Sequence, residues 1–154
     1  MSGEILIGVM AAAIFGLYAA GFLFVRRLRN RAQGDLEAVV GAEHVVLVDR
    51  SANCAGHDDP DTVQLRGAGV LALTEDALHF MLWMPRDRHL QIPRAGVQTA
   101  TATRAYRRAG FARASFRPML RVEFRTKAGA DASIAWATTD AEAWCDALNE
   151  EPRA

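Results

Sequence analysis

The residues that could do chemistry are unevenly placed. Between Asp87 and Glu123 there is no acid, and the same stretch holds eight arginines: Arg88, Arg94, Arg104, Arg107, Arg108, Arg113, Arg117 and Arg121. Five of them, Arg104, Arg107, Arg108, Arg113 and Arg117, fall within Thr103–Pro118, interleaved with Tyr106, Phe111 and Phe116. Guanidinium groups pair with phosphate, and aromatic rings settle at the headgroup level of a bilayer. This spacing therefore suits a mobile loop that touches anionic lipid, with about 1 kcal/mol from each arginine near the leaflet. Two other readings use the same residues. Arginine binds nucleic-acid phosphate while aromatics stack on bases. The default is plainer: a solvated loop between strands, in a chain whose only lysine is Lys127.

The other polar clusters point to less. His57, Asp58, Asp59 and Asp61 offer imidazole and oxygen ligands, but they lack the glycine and glutamate spacing of a calcium loop and read as a solvated turn. His44, His79 and His89 are scattered among strands, which suits packing or surface roles. Cys54 and Cys145 form no motif, and free thiols are expected in a reducing compartment. There is no G-x-S-x-G, no P-loop and no H-E-x-x-H, and Gly67-Ala68-Gly69 is too short to cradle a phosphate. The expectation is a protein that is not an enzyme, with no cofactor and no metal.

The elements that position these residues begin with the N-terminus. Ile5–Val25 is a run of 21 residues without a charge. As a helix it would span about 31 Å, close to the hydrocarbon thickness of a bilayer. It has no polar face, unlike a core helix of a soluble domain. Arg26, Arg27, Arg29 and Arg31 follow it, and only Glu4 precedes it. By the positive-inside rule the N-terminus lies outside and the rest of the chain in the cytoplasm, at the cell membrane. A cleaved signal peptide is the rival; it would carry its basic residues before a shorter apolar core. Gly8, Ala12, Gly16 and Ala20 recur every four residues and would form a ridge for close helix–helix approach, hence a possible homodimer. Chance in a Gly/Ala-rich run explains such a ridge as well.

Residues 26–43 read as a basic juxtamembrane connector, with room for a short helical turn in 32–43, and 151–154 as a tail. Between them the pattern is that of short strands. His44–Asp49 is β-branched, 51–66 is a polar loop, and Gly69–Leu73 and Leu78–Met84 are apolar runs flanking the turn Thr74-Glu75-Asp76. His89–Ile92 is stopped by Pro93, and Val97–Thr103 alternates with period two. In Met119–Arg125 the apolar Leu120, Val122 and Phe124 share one face and the charged residues share the other. A hairpin turn at Lys127–Ala130 leads to Ala132–Ala137. The period then changes, and Asp140 caps a helix to about Glu150 with Ala141, Trp144, Ala147 and Leu148 on one side. About seven strands and one helix make a mainly β domain whose sheet must close into a barrel or be plugged at its open end. Trp83, Trp136 and Trp144 are expected in the core or at the seam between helix and sheet.

Three segments carry a resemblance. Gly67–Phe80 (GAGVLALTEDALHF) resembles the GRAM-type, bacterial pleckstrin-homology-like (PH-like) pattern: a glycine, an apolar strand, Leu-Thr, an acidic turn, then Leu-x-Phe. Leu90–Val97 is similar to the family's segment after the third strand, and Ile134–Leu148 to its closing strand and helix. The resemblance covers about 44–150. It implies a partly open barrel of about seven antiparallel strands closed by one C-terminal α-helix, here preceded by a single transmembrane helix. It implies no ligand, because this fold hosts lipid, peptide and purely structural roles. The loop between the first two strands, basic in phosphoinositide binders, here holds Asp58, Asp59 and Asp61, so headgroup recognition does not carry over to it.

The equal counts of 18 basic and 18 acidic residues exclude a uniformly basic nucleic-acid binder, and no nucleic-acid partner is expected. That neutral total hides a +4 cluster at 26–31 and an acidic remainder after it. The expected function is a single-pass membrane protein presenting a non-enzymatic binding or scaffolding module, with anionic lipid or another membrane protein as partner. The alternative is an accessory subunit of a membrane transporter or envelope complex.

Overall fold

The computed structural model describes residues 3–41, 44–59, 63–85, 88–108 and 111–150. The fold is mainly β: a long N-terminal helix, a seven-stranded antiparallel open sheet and a C-terminal helix. Helix α1 runs over Gly3–Val40, followed by β1 (Val45–His57), β2 (Gly67–Thr74), β3 (Ala77–Leu82), β4 (His89–Pro93), β5 (Val97–Arg108), β6 (Phe111–Arg125), β7 (Asp131–Ala137) and α2 (Ala141–Asn149). The sheet order is β4-β3-β2-β1-β7-β6-β5. Strands β4 and β5 are thus neighbours in sequence yet stand at opposite edges, joined by a 3-10 turn at Arg94–Gly96.

The inner face follows the period-two pattern. Leu71, Leu73, Leu78, Phe80, Ile92, Leu120, Val122, Ile134 and Trp136 form one buried cluster with Ala141, Trp144 and Leu148 of α2. Phe80 and Trp136 meet as tilted rings 5.9 Å apart. Gly69 is required beside them, because a Cβ there would collide with the Met81 carbonyl and the Phe80 ring. Helix α2 starts where Asp140 accepts from the Ala143 amide, 3.1 Å away. Its C-terminal carbonyls are met by a cation: Arg94 Nη2 donates to Ala147 O and Glu150 O, each at 2.7 Å. The Asn149 side chain then covers the outer edge of β5, accepting from the Ala100 amide and donating to the Ala100 carbonyl. So α2 plugs the open side of the sheet, as its apolar stripe implies.

Three expectations need correction. After Arg31 the helical content is more than a short turn, since α1 continues as helix through Val40. No proline interrupts it, and its turns after Arg31 are stabilised by packing: Ala32 and Leu36 are buried against Val70, Ala72 and Met81 on the outer face of β2 and β3. Trp83, just past the end of β3, packs at this seam. Residues 51–57 are strand rather than loop, because β1 bends past irregularities near Asp49–Ala52 and Cys54–Gly56 to pair with β7 as well as β2. Polar side chains hid it. Asp49, for instance, holds the Ser51 and Thr139 amides at 2.8 and 2.6 Å and so ties β1 to the start of α2.

The third correction concerns Thr103–Pro118. This stretch is a paired ribbon, with Ala105↔Ala114, Tyr106↔Arg113, Arg107↔Ala112 and Arg108↔Phe111 in register. The period of two is blurred there by alanine and arginine alternating without an apolar face. The residues connecting β5 to β6, 109–110, lie outside the described set.

Candidate functional site: an arginine ribbon and a docked apolar helix

The ribbon is placed by the outer face of the sheet. On β7 the inward residues are Ala132, Ile134 and Trp136, leaving Ser133, Ala135 and Ala137 outside. Tyr106 lies on that outer face, 2% exposed, against Ala55, Met119 and Ala135. Its hydroxyl donates to the Ser133 carbonyl at 3.0 Å. The β5–β6 register is irregular between Thr103 and Ala105, the kind of shift that bends a strand pair. Tyr106 therefore pins the ribbon and is unavailable for insertion into a bilayer, contrary to the sequence expectation.

What the ribbon does offer is Arg104 and Arg107, both exposed, and Phe116, fully exposed on the other strand. Arg108 ends β5, and Arg113 and Arg117 lie on β6; their side chains, like that of Phe111, lie outside the described residues. Arg121 is engaged with Glu123 at 2.8 Å, on an exposed surface.

The acidic loop after β1 is partly turned inward. Asp58 accepts from the Ser133 amide and, at 2.8 Å, from the Ser133 hydroxyl, and Asp59 is buried. His57 is buried with Nε2 at 3.1 Å from the Val63 carbonyl. Asp61 lies outside the described residues. These groups are spent on fixing the loop, and among the described residues no three His, Cys, Asp or Glu side chains are grouped to hold a metal.

Helix α1 supplies the second half of the site. From Ile7 it is long and apolar enough to cross a membrane: its apolar window has a mean hydropathy of 2.1 and no buried residue. A signal sequence would meet the same criterion. The small-residue ridge is open: nothing lies within 4 Å of a Cβ built at Gly8 or Gly16, and Ala12 and Ala20 are exposed. Arg26, Arg27 and Arg31 line a shallow concavity with Leu23 and Asn30 just beyond the apolar run. At its other end, Val39 and Val40 face Thr74–Ala77, the β2–β3 turn. From there α1 passes back along the sheet, so its apolar half leaves from the end that carries the β1–β2 and β3–β4 connections. Ala32, already on the sheet, is seven residues from Val25, or about 10 Å along the axis.

Among the described residues, that end of the domain exposes the apolar side chains of Val63 (64% exposed) and Met84 (61%). Arg88 joins the two connections, donating from Nη1 to the Gln64 carbonyl at 3.0 Å. Val63 and Met84 gave no sequence signal, because their meaning depends on the direction in which α1 departs.

On β3 and β4 a pair of histidines meets on the outer face. His79 Nδ1 lies 3.1 Å from His89 Nε2. Burial lowers both pKa values, and for His79 the neighbouring His89 charge adds to it. A neutral pair sharing one N–H is the favoured state. Cys145 lies on α2, where burial first and then Asp146 and Glu142 raise its pKa, so the thiol is held protonated and unreactive.

The chain matches no known family profile, no curated protein and no solved structure.

Proposed function

We propose that this chain is a single-pass membrane protein whose β domain is a cytoplasmic binding or scaffolding module, non-enzymatic, held against the inner leaflet. One observation carries the proposal: the exposed apolar helix continues without a break into a segment packed on the sheet through Ala32 and Leu36. A signal sequence is cut from its domain, whereas this helix is part of the domain's own packing. With about 10 Å between Val25 and Ala32, and a headgroup layer of about 5–8 Å, the nearer end of the domain lies at the lipid surface. Arg26, Arg27, Arg29 and Arg31 set the cytoplasmic orientation.

The domain reads as a PH-like fold of the GRAM type in a bacterial protein. Support comes from the sheet order, from β1 bending to join both halves, and from the C-terminal helix that plugs the gap between β4 and β5. The exposed Arg104 and Arg107 favour anionic lipid as ligand. Flotation of residues 32–154 with vesicles, with and without anionic lipid, tests it. Binding that needs anionic lipid at low salt, and that drops on Arg104→Glu with Arg107→Glu, is the expected result. Indifference to lipid charge removes the lipid assignment.

The second reading is an accessory subunit of a membrane transporter or envelope complex. The unobstructed ridge Gly8, Ala12, Gly16 and Ala20 favours it, since it would seat another helix, including a second copy. Gly16→Ile should then abolish crosslinking within the membrane or co-purification of a partner.

A further inference from the structure

Among the described residues, strand β4 pairs with β3 along one edge and leaves its other edge bare. Leu82 N donates to Arg88 O, and Arg94 N donates to Asp76 O, so even-numbered residues of this stretch face β3. By the alternation of an antiparallel ladder, Leu90 and Ile92 also bond β3, while His89 and Gln91 point their N–H and C=O groups the other way. Pro93 falls in the outward class too, where a missing N–H costs the ladder nothing. The outward groups of His89 and Gln91 have no hydrogen-bond partner among the described residues. The opposite edge of the sheet is treated differently, because Asn149 covers Ala100 of β5 with both halves of its amide.

This bare edge forms one wall of a cleft of about 610 Å³. The far wall is Phe124, Arg125, Thr126, Lys127 and Ala128, at the end of β6 and in the turn that follows. Helix α2 plugs the barrel at the 3-10 turn; here the barrel stays open. Phe124 is buried and apolar, whereas Lys127 and Arg125 are exposed cations, Arg125 lying 3.6 Å from the Asp131 carboxylate at the surface. The carboxylate in the cleft, Asp59, is buried.

We propose that the β4 edge docks an extended segment of a partner protein with alternating apolar and acidic residues. The segment adds as a strand beside β4, pairing with His89 and Gln91. Its alternate side chains separate to two faces: the apolar ones turn to Phe124, and the acidic ones meet Arg125 and Lys127. This assignment does not depend on α1 being a membrane anchor, nor on any lipid contact by the ribbon.

The test uses the full chain in detergent micelles and the peptide acetyl-Val-Glu-Val-Asp-Val-Glu-amide, with amide hydrogen exchange read by residue. The peptide should slow exchange at His89 and Gln91 and leave Leu90 and Ile92, already bonded to β3, unchanged. A version methylated on alternate backbone nitrogens should not bind. A version with lysine for the acids should bind at least tenfold more weakly. Gln91→Pro removes an outward N–H only, and should weaken binding by about tenfold or less with Tm preserved. Unchanged exchange at His89 and Gln91 in millimolar peptide overturns the proposal, as does protection that appears on β5 instead. Equal binding of the lysine version overturns the acidic assignment. If Gln91→Pro fails to fold, the exchange pattern of the unaltered chain decides.

Discussion

Replacing Leu36 should loosen the domain from its helix without unfolding the sheet. Leu36 is 2% exposed and sits on Val70, Ala72 and Met81, with Ala32 one turn away. Burying a leucine is worth about 1.5–3 kcal/mol and a methyl about 0.8 kcal/mol. With the half-buried Val40 the seam comes to about 3 kcal/mol, which holds the helix docked in roughly 150 molecules for each one undocked. Leu36→Ala removes about 2 kcal/mol and leaves about 1 kcal/mol, so about one molecule in six undocks. Leu36→Asp adds an unpaired carboxylate to the seam and should make the undocked form dominant. Spin labels at Asp35→Cys and Thr101→Cys, both exposed positions, report this as a distance distribution in the full chain in nanodiscs. The native Cys54 and Cys145 are buried and are replaced by alanine in the labelled background. The unaltered seam should give one narrow distance, Leu36→Ala a broad minor component, and Leu36→Asp a broad major one. A narrow distribution that survives Leu36→Asp would refute the seam as the element that orients the domain.

Other substitutions test the rest of the structure. Trp144→Ala should cost about 3–5 kcal/mol of domain stability, since Trp144 is buried where α2 plugs the sheet; a loss under about 1 kcal/mol in denaturant melts would mean that α2 does not close it. Tyr106→Phe removes the bond to Ser133 and should cost about 0.5–1.5 kcal/mol, with faster proteolysis of the ribbon and an unchanged sheet. Asp49 has its pKa raised by burial and lowered, on balance, by hydrogen bonds from Thr139 and Ser51. Its folded pKa is therefore depressed, and its stabilisation exists above the ordinary aspartate pKa of about 3.9 and is lost as pH falls below it. Asp49→Asn should destabilise at pH 7, and the difference should vanish in acid. His79 and His89 have folded pKa values below the ordinary histidine value of about 6.5, so the domain should lose stability as pH falls through that value toward the folded pKa. His79→Phe should flatten that slope in melts between pH 7.5 and 5.

The elements with strong periodicity were legible from residues alone. Met119–Arg125 alternates cleanly, Asp140 caps α2, and the apolar run before Arg26 has no polar face, so each is where its pattern puts it. What the chain conceals arises from contacts distant in sequence. Residues 51–57 are strand because Asp49 and the irregularities around it let β1 serve two neighbours. Thr103–Pro118 is ribbon because Tyr106 finds Ser133, 27 residues on. The helix beyond Arg31 exists on a foundation of Val70, Ala72 and Met81, which no local window contains. In the candidate site Arg104, Arg107 and Phe116 are exposed, whereas Tyr106 is buried by a contact that its local pattern does not state. The bare edge of β4 follows from hydrogen-bond parity, which a sequence states only through Pro93.

Whether α1 is a retained anchor with its domain inside the cell decides most of this account. The direct measurement is the intact mass of the full chain taken from cell membranes, combined with labelling of Thr101→Cys in sealed vesicles of known orientation. The account predicts the mass of the uncut chain, resistance to carbonate extraction, and labelling by an impermeant maleimide only when the cytoplasmic face is outward. A mass lacking the N-terminal apolar run, or labelling from the outer face, would contradict it.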